Sequence, residues 1–152
     1  MAERKLIRKE MTYTINNTTI TNLVTEEVSR VAAAAYADDG TSLYDSIVIH
    51  SRDANDVSRA IKDAVDAVIK RAVDICTYIP ATPALSFYAP DMDSTKETAA
   101  SDEVTRAIVL GAVSVWMREK YPVRYQDYAD RSAAALNNAI AMIKTRTTPT
   151  RS

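Results

Sequence analysis

One thiol and one imidazole, Cys76 and His50, are all that this chain of 152 residues offers to nucleophilic or metal chemistry of the common kinds. A cysteine nucleophile needs a base within hydrogen-bond reach and a third group to orient that base. Cys76 falls on a run of apolar residues spaced by threes and fours, where a free cysteine packs as a small hydrophobe. His50 lies in a polar stretch and is expected to serve a loop or surface role. One Cys and one His also fall short of a zinc site unless two carboxylates join them.

The carboxylates do not supply what the thiol lacks. Asp56, Asp63, Asp66 and Asp74 share a helical pattern, and paired acids can do proton transfer when burial separates their pKa values. Here they alternate with Lys62, Lys70 and Arg71, as residues on a solvated helix face do. Asp91-Met92-Asp93 has the opening of a calcium loop, but Lys96 stands where that loop needs a glycine. Neither a phosphate-binding P-loop nor a dinucleotide fingerprint is present. The expectation is therefore a protein without enzymatic activity, cofactor or metal.

The elements that position these residues read as helices. Residues 1–22 are polar and β-leaning, which suits an extended N-terminal arm or a short hairpin. Thr25 is a plausible N-cap, with Glu26 and Glu27 in the first turn. Val28, Val31, Ala32, Ala35 and Tyr36 then form one stripe, closed by Asp38-Asp39-Gly40. Leu43 to His50 is compatible with strand or helix. Asp53, Asn55 or Asp56 caps what reads as the long central helix, running to Ile79 and spanning about 40 Å. Val57, Ile61, Ala64, Val68, Ala72, Ile75 and Ile79 mark its buried face. Val65, Ile69, Val73 and Cys76 make a second stripe beside that face.

Pro80, Pro83 and Pro90 punctuate a loop over residues 80–100, within which Leu85-Ser86-Phe87 can form a short strand. Ser101 is the expected cap of the next helix, which is apolar on nearly every side from Ala107 to Met117 and so expected to be buried all round. Pro122 stops it. A last helix from Arg124 to Lys144 carries Tyr125, Tyr128, Ala135, Leu136, Ala139, Ile140 and Ile143 inward. Trp116, Tyr121, Tyr125 and Tyr128 gather around the break at Pro122, where aromatics seal a core corner or anchor an interface; the core is favoured. The fold class that follows is mostly α, a bundle of about four helices over residues 23–144, with a polar tail over 145–152.

Composition agrees with that class. Gly40 and Gly111 are the only glycines, too few for a turn-rich all-β fold. The first five residues are charged, with no apolar stretch behind them, so neither a signal peptide nor a membrane anchor is expected. A net charge of −1 hides an uneven spread. Residues 1–10 carry four basic and two acidic side chains, and residues 118–152 carry seven and three. Residues 11–117 carry eight and fifteen, a balance of −7. An acidic body argues against a general nucleic-acid surface and suits basic ends that meet an acidic partner or a neighbouring copy.

The helix ending in Val115-Trp116-Met117, the break at Tyr121-Pro122 and the helix opening Tyr125-Gln126-Asp127-Tyr128-Ala129 resemble the head–tail connector (adaptor) proteins of tailed bacteriophages. The tail from Arg146 to Pro149 and the long capped helix before the break fit the same layout. The resemblance covers residues 41–150 and lies in helix and loop placement. It implies a structural virion protein made in the host cytoplasm and located in the virion neck. Its copies, commonly twelve, would form a ring joining the portal protein to the tail or a stopper protein. DNA would pass through that ring without sequence-specific binding. Arg146, Thr147, Pro149 and Arg151 would then belong to a C-terminal segment that docks on the portal. Residues 1–22 and 80–100 would contact neighbouring subunits. The alternative is a small helical regulatory or protein-binding module. For DNA reading it would need a basic helix, and the last helix sets only Arg124, Arg131 and Lys144 against Asp127 and Asp130.

Overall fold

The computed structural model describes residues 10–146 and is mostly α-helical. Its elements are β1 (Glu10–Thr14), α1 (Asn17–Ala33), α2 (Tyr44–Ile47), α3 (Ala54–Arg71), β2 (Cys76–Ile79), β3 (Ala84–Tyr88), α4 (Glu97–Lys120) and α5 (Tyr125–Ile143). Four long helices and the single turn of α2 match the expected bundle, with a small antiparallel sheet of order β1-β3-β2 added to it. No helix among the described residues is long and apolar enough to cross a membrane.

The central helix is α4, not the one expected to begin at Asp53. Ala100, Val104, Ala107, Ile108, Val109, Leu110, Ala112, Val113, Trp116 and Met117 are all buried along its 24 residues. An apolar pattern on every side means neighbours on every side, and α1, α3 and α5 all pack against α4. Asp93, not Ser101, starts this region. Its carboxylate accepts from the Thr95 N–H at 3.0 Å and the Thr95 hydroxyl at 2.7 Å, closing a 3₁₀ turn over Ser94–Lys96 that leads into α4. Ser101 therefore falls inside the helix.

The expected helix over 53–79 is also corrected. α3 stops at Arg71, and Cys76–Ile79 is a strand. A tight turn intervenes, in which the Cys76 N–H donates to the Ala72 carbonyl. Thr77, Tyr78 and Ile79 are β-branched or aromatic, and they pair with Ser86, Leu85 and Ala84. Val73, assigned to a second buried stripe, is 73 % exposed in that turn. The proline loop over 80–100 contains the middle strand of the sheet, β3, so Leu85-Ser86-Phe87 is a strand as expected.

At the N-terminal side, the β-lean is met only at Glu10–Thr14. The partner of this strand is β3, with Met11 opposite Phe87 and Tyr13 opposite Leu85, so no local hairpin forms over residues 10–22. Asn16 takes the capping role expected of Thr25, its side chain accepting from the Thr19 N–H at 3.0 Å. Thr18 to Thr21 are helical because Ile20, Val24, Val28 and Val31 recur on one turn-spaced face that buries in the core. Thr25 instead sits within α1 and donates to the Thr21 carbonyl. Asp38-Asp39-Gly40 forms a turn beyond the helix rather than its C-cap, with Gly40 at φ 85° and Tyr36 bridged to Ser42. Tyr36 is consequently exposed rather than on the inner stripe.

Pro122 and the helix after it fall where the sequence places them. α4 ends at Lys120, Pro122–Arg124 makes one 3₁₀ turn, and α5 buries Tyr128, Ala135, Leu136, Ala139 and Ile143.

Candidate functional site

Two features of the fold set the surface chemistry, and the first follows from long-range pairings. The first is that Glu10 and Arg146, the outermost described residues, lie at one pole of the bundle. Glu10 pairs with Tyr88, and Met92 is bridged to Arg146. Between them lies a tight turn in which the Met92 N–H donates to the Ala89 carbonyl. These steps hold residues 10 and 146 within about 20 Å of each other. The C-terminal end of α5 is fastened there as well. The Asp93 N–H donates to the Thr145 carbonyl at 3.1 Å, and Arg146 Nη1 donates to the Ile143 carbonyl at 3.2 Å. Arg146 thus supplies a cation to the free carbonyls at a helix C-terminus. Lys144 approaches Asp74 at 3.8 Å, but both are exposed and such pairs contribute little. Of the four residues expected to dock on a partner, Arg146 is at this pole and exposed; Thr147, Pro149 and Arg151 lie outside the described residues.

The opposite pole is the α4–α5 turn. Val123 is 78 % exposed at its tip. Three cations on the elements flanking this turn lie over aromatic faces: Arg118 over Tyr125 at 5.1 Å, Lys120 over Trp116 at 5.3 Å and Arg124 over Tyr128 at 5.4 Å. The aromatic cluster anticipated around Pro122 divides here. Trp116 and Tyr128 are core residues, while Tyr121 and Tyr125 are half-buried at the rim. Tyr128 also fastens α1 to α5. Its hydroxyl donates to Glu27 Oε1 at 2.6 Å, and Arg131 stacks on its ring at 5.0 Å. Burial first, and then the Glu27 carboxylate, push the phenol up to about 12, so it stays a donor.

The residues with chemical potential stay apart. His50 is half-buried in the loop before α3, with Nε2 2.9 Å from the Asp45 carbonyl and its backbone N–H donating to Asp53. Cys76 is buried as expected, though on a strand rather than a helix. Asp56, Asp63, Asp66 and Asp74 are all exposed. Among the described residues no group of three or more His, Cys, Asp and Glu could hold a metal ion.

Burial pushes the Cys76 thiol up to about 11. At pH 8 its thiolate fraction is about 100-fold lower than that of an unperturbed cysteine. Ellman's reagent is therefore expected to modify the folded protein about 100-fold more slowly than the denatured chain; equal rates would place Cys76 at the surface. The same shift has a stability consequence. Below about pH 9 both states hold the proton; above it the unfolded chain ionises first, so stability falls until about pH 11.

Comparison with protein-family models, curated proteins and solved structures yields no match to this chain.

Proposed function

We propose that this chain is a head–tail connector subunit: a structural, non-enzymatic protein that works as a ring between portal and tail. The observation that supports this best is that Glu10 and Arg146, the residues to which the two basic ends are joined, lie at one pole. Residues 1–9 carry four basic side chains and one acidic, and residues 147–152 add Arg151. The other pole offers the exposed Val123 on a turn flanked by Arg118, Lys120 and Arg124, and α4 separates the two by about 36 Å. A bridging subunit needs two such ends, one for each partner. In a ring the long sides of neighbouring copies would face each other, a head-to-tail contact that closes by rotation. Residues 11–117 carry seven more acids than bases, which suits a channel that must let DNA slide without holding it.

The test is removal of residues 147–152, cutting after Arg146 so that the contacts to Met92 and Asp93 remain. The helical circular dichroism signal is expected to be unchanged, and heads without tails are expected by electron microscopy. Normal tail attachment would remove the docking role from the C-terminus. Absence of the protein from purified virions would leave the helical regulatory module as the better reading.

A further inference from the structure

α1, α4 and α5 leave a groove of about 490 Å³ along one side of the bundle. Leu23, 38 % exposed, and the buried Val109 and Leu110 make its apolar floor. Glu26 on α1, and Asp102 and Glu103 on α4, stand along its edges. Its other charges are largely accounted for. Glu27 is held by Arg30 at 2.7 Å and by the Tyr128 hydroxyl. Arg131 lies over Tyr128 and reaches Asp127 at 3.9 Å. Arg106 is the remaining cation, so acids are in excess around an apolar strip.

We propose that this groove binds the amino-terminal segment of a second copy of the chain, Arg4-Lys5-Leu6-Ile7-Arg8-Lys9. That segment places two cations on each side of two apolar residues, the complement of an apolar floor between acidic edges. Delivery by a neighbour fits the path of the chain. Tyr13 touches the groove wall through Thr105, 2.7 Å from hydroxyl to hydroxyl, and Glu10 is already three strand residues, about 10 Å, upstream of that contact. Residues 1–9 contain none of the Gly, Pro, Asn, Asp or Ser that favour turns, a composition that disfavours a reversal into the copy's own groove. Contact between one copy's N-terminus and the next copy's flank is head-to-tail. It does not depend on what the protein joins.

The experiment titrates full-length protein into a fluorescein-labelled peptide of residues 1–10 and follows anisotropy. Binding is expected at about 10–100 µM in 50 mM salt. It should weaken at 500 mM, where screening shortens the reach of the charges to about 4 Å. The double variant E26K/E103K, on exposed and half-exposed helix positions, should keep its helical signal and bind at least tenfold more weakly. A peptide with Leu6 and Ile7 replaced by serine should lose binding to a similar degree. Equal binding by the variant would place the peptide elsewhere on the protein, equal binding by the serine peptide would mean charge attraction without a site, and either would overturn the proposal. Absence of binding up to 1 mM would overturn it too, whether the groove takes nothing or takes its own chain. The titration contains no partner protein, so a negative result leaves the connector reading standing, and failure of that reading leaves the groove intact.

Discussion

Trp116→Ala is expected to lower the free energy of unfolding by about 3–5 kcal/mol, the range for removing a large buried aromatic. Trp116 is 5 % exposed, and its indole Nε1–H donates to the Ile47 carbonyl at 2.7 Å. α2 is only one turn long and has no side-chain cap, so this hydrogen bond is a principal tie between α2 and α4. Truncation leaves a cavity and an unpaired buried carbonyl together. Trp116→Phe separates the two effects: most of the volume stays, the donor goes, and about 1–3 kcal/mol should be lost. Urea melts followed by circular dichroism at 222 nm give both values. A loss under about 1 kcal/mol for the alanine variant would show that the side chain works at a surface between molecules.

Gly111→Val should cost at least about 1–3 kcal/mol, through crowding rather than a cavity. A Cβ at this position would lie 3.1 Å from Ala64 Cβ on α3 and 3.1 Å from Ser132 Oγ on α5. The Ser132 hydroxyl donates to the Ala107 carbonyl and has no slack to move away without losing that bond. Both neighbouring helices are therefore set by the missing side chain. Gly111→Ala meets the same two atoms but gains about 1 kcal/mol of helix propensity, so it should be much milder. For a chain of this size, each 1 kcal/mol moves Tm by roughly 2–4 °C, which calorimetry resolves easily. If valine is as well tolerated as alanine, α3 and α5 are not held against α4 at this point.

What could be read from the sequence follows a physical division. Ala107 to Met117 is apolar on all sides, and Pro122 removes a helix donor; both are local statements, and both hold. Cys76–Ile79 misled because Ala72, Ile75 and Ile79 continue the spacing of Val57 to Val68 by coincidence. The chain instead follows the strand preference of Thr77 and Tyr78, which counts only once β3 is alongside. Thr18 to Thr21 erred in the opposite direction, where a β-leaning run is overridden by the face that Ile20 and Val24 bury. The pole at residues 10 and 146 was illegible for the same reason. Basic ends are visible in composition, but that Glu10 and Arg146 share a pole depends on Glu10 lying opposite Tyr88 and Met92 opposite Arg146. No local pattern encodes the 2.6 Å hydrogen bond from Tyr128 to Glu27, across 101 residues of chain. The groove beside it equally needs α1 brought against α4 and α5 from far away in the sequence.

The pairing of β1 with β3 also governs how the protein is made. Thr14 finds its partner in Ala84, seventy residues later. At about 5–20 residues per second a ribosome needs roughly 4–14 s to synthesise that interval. Throughout it Met11 and Tyr13, both buried in the finished sheet, have no strand to lie against. An unpaired, half-apolar strand is a template for pairing with another chain. On crowded polysomes making many copies at once, this waiting strand is where nascent chains are expected to find each other first.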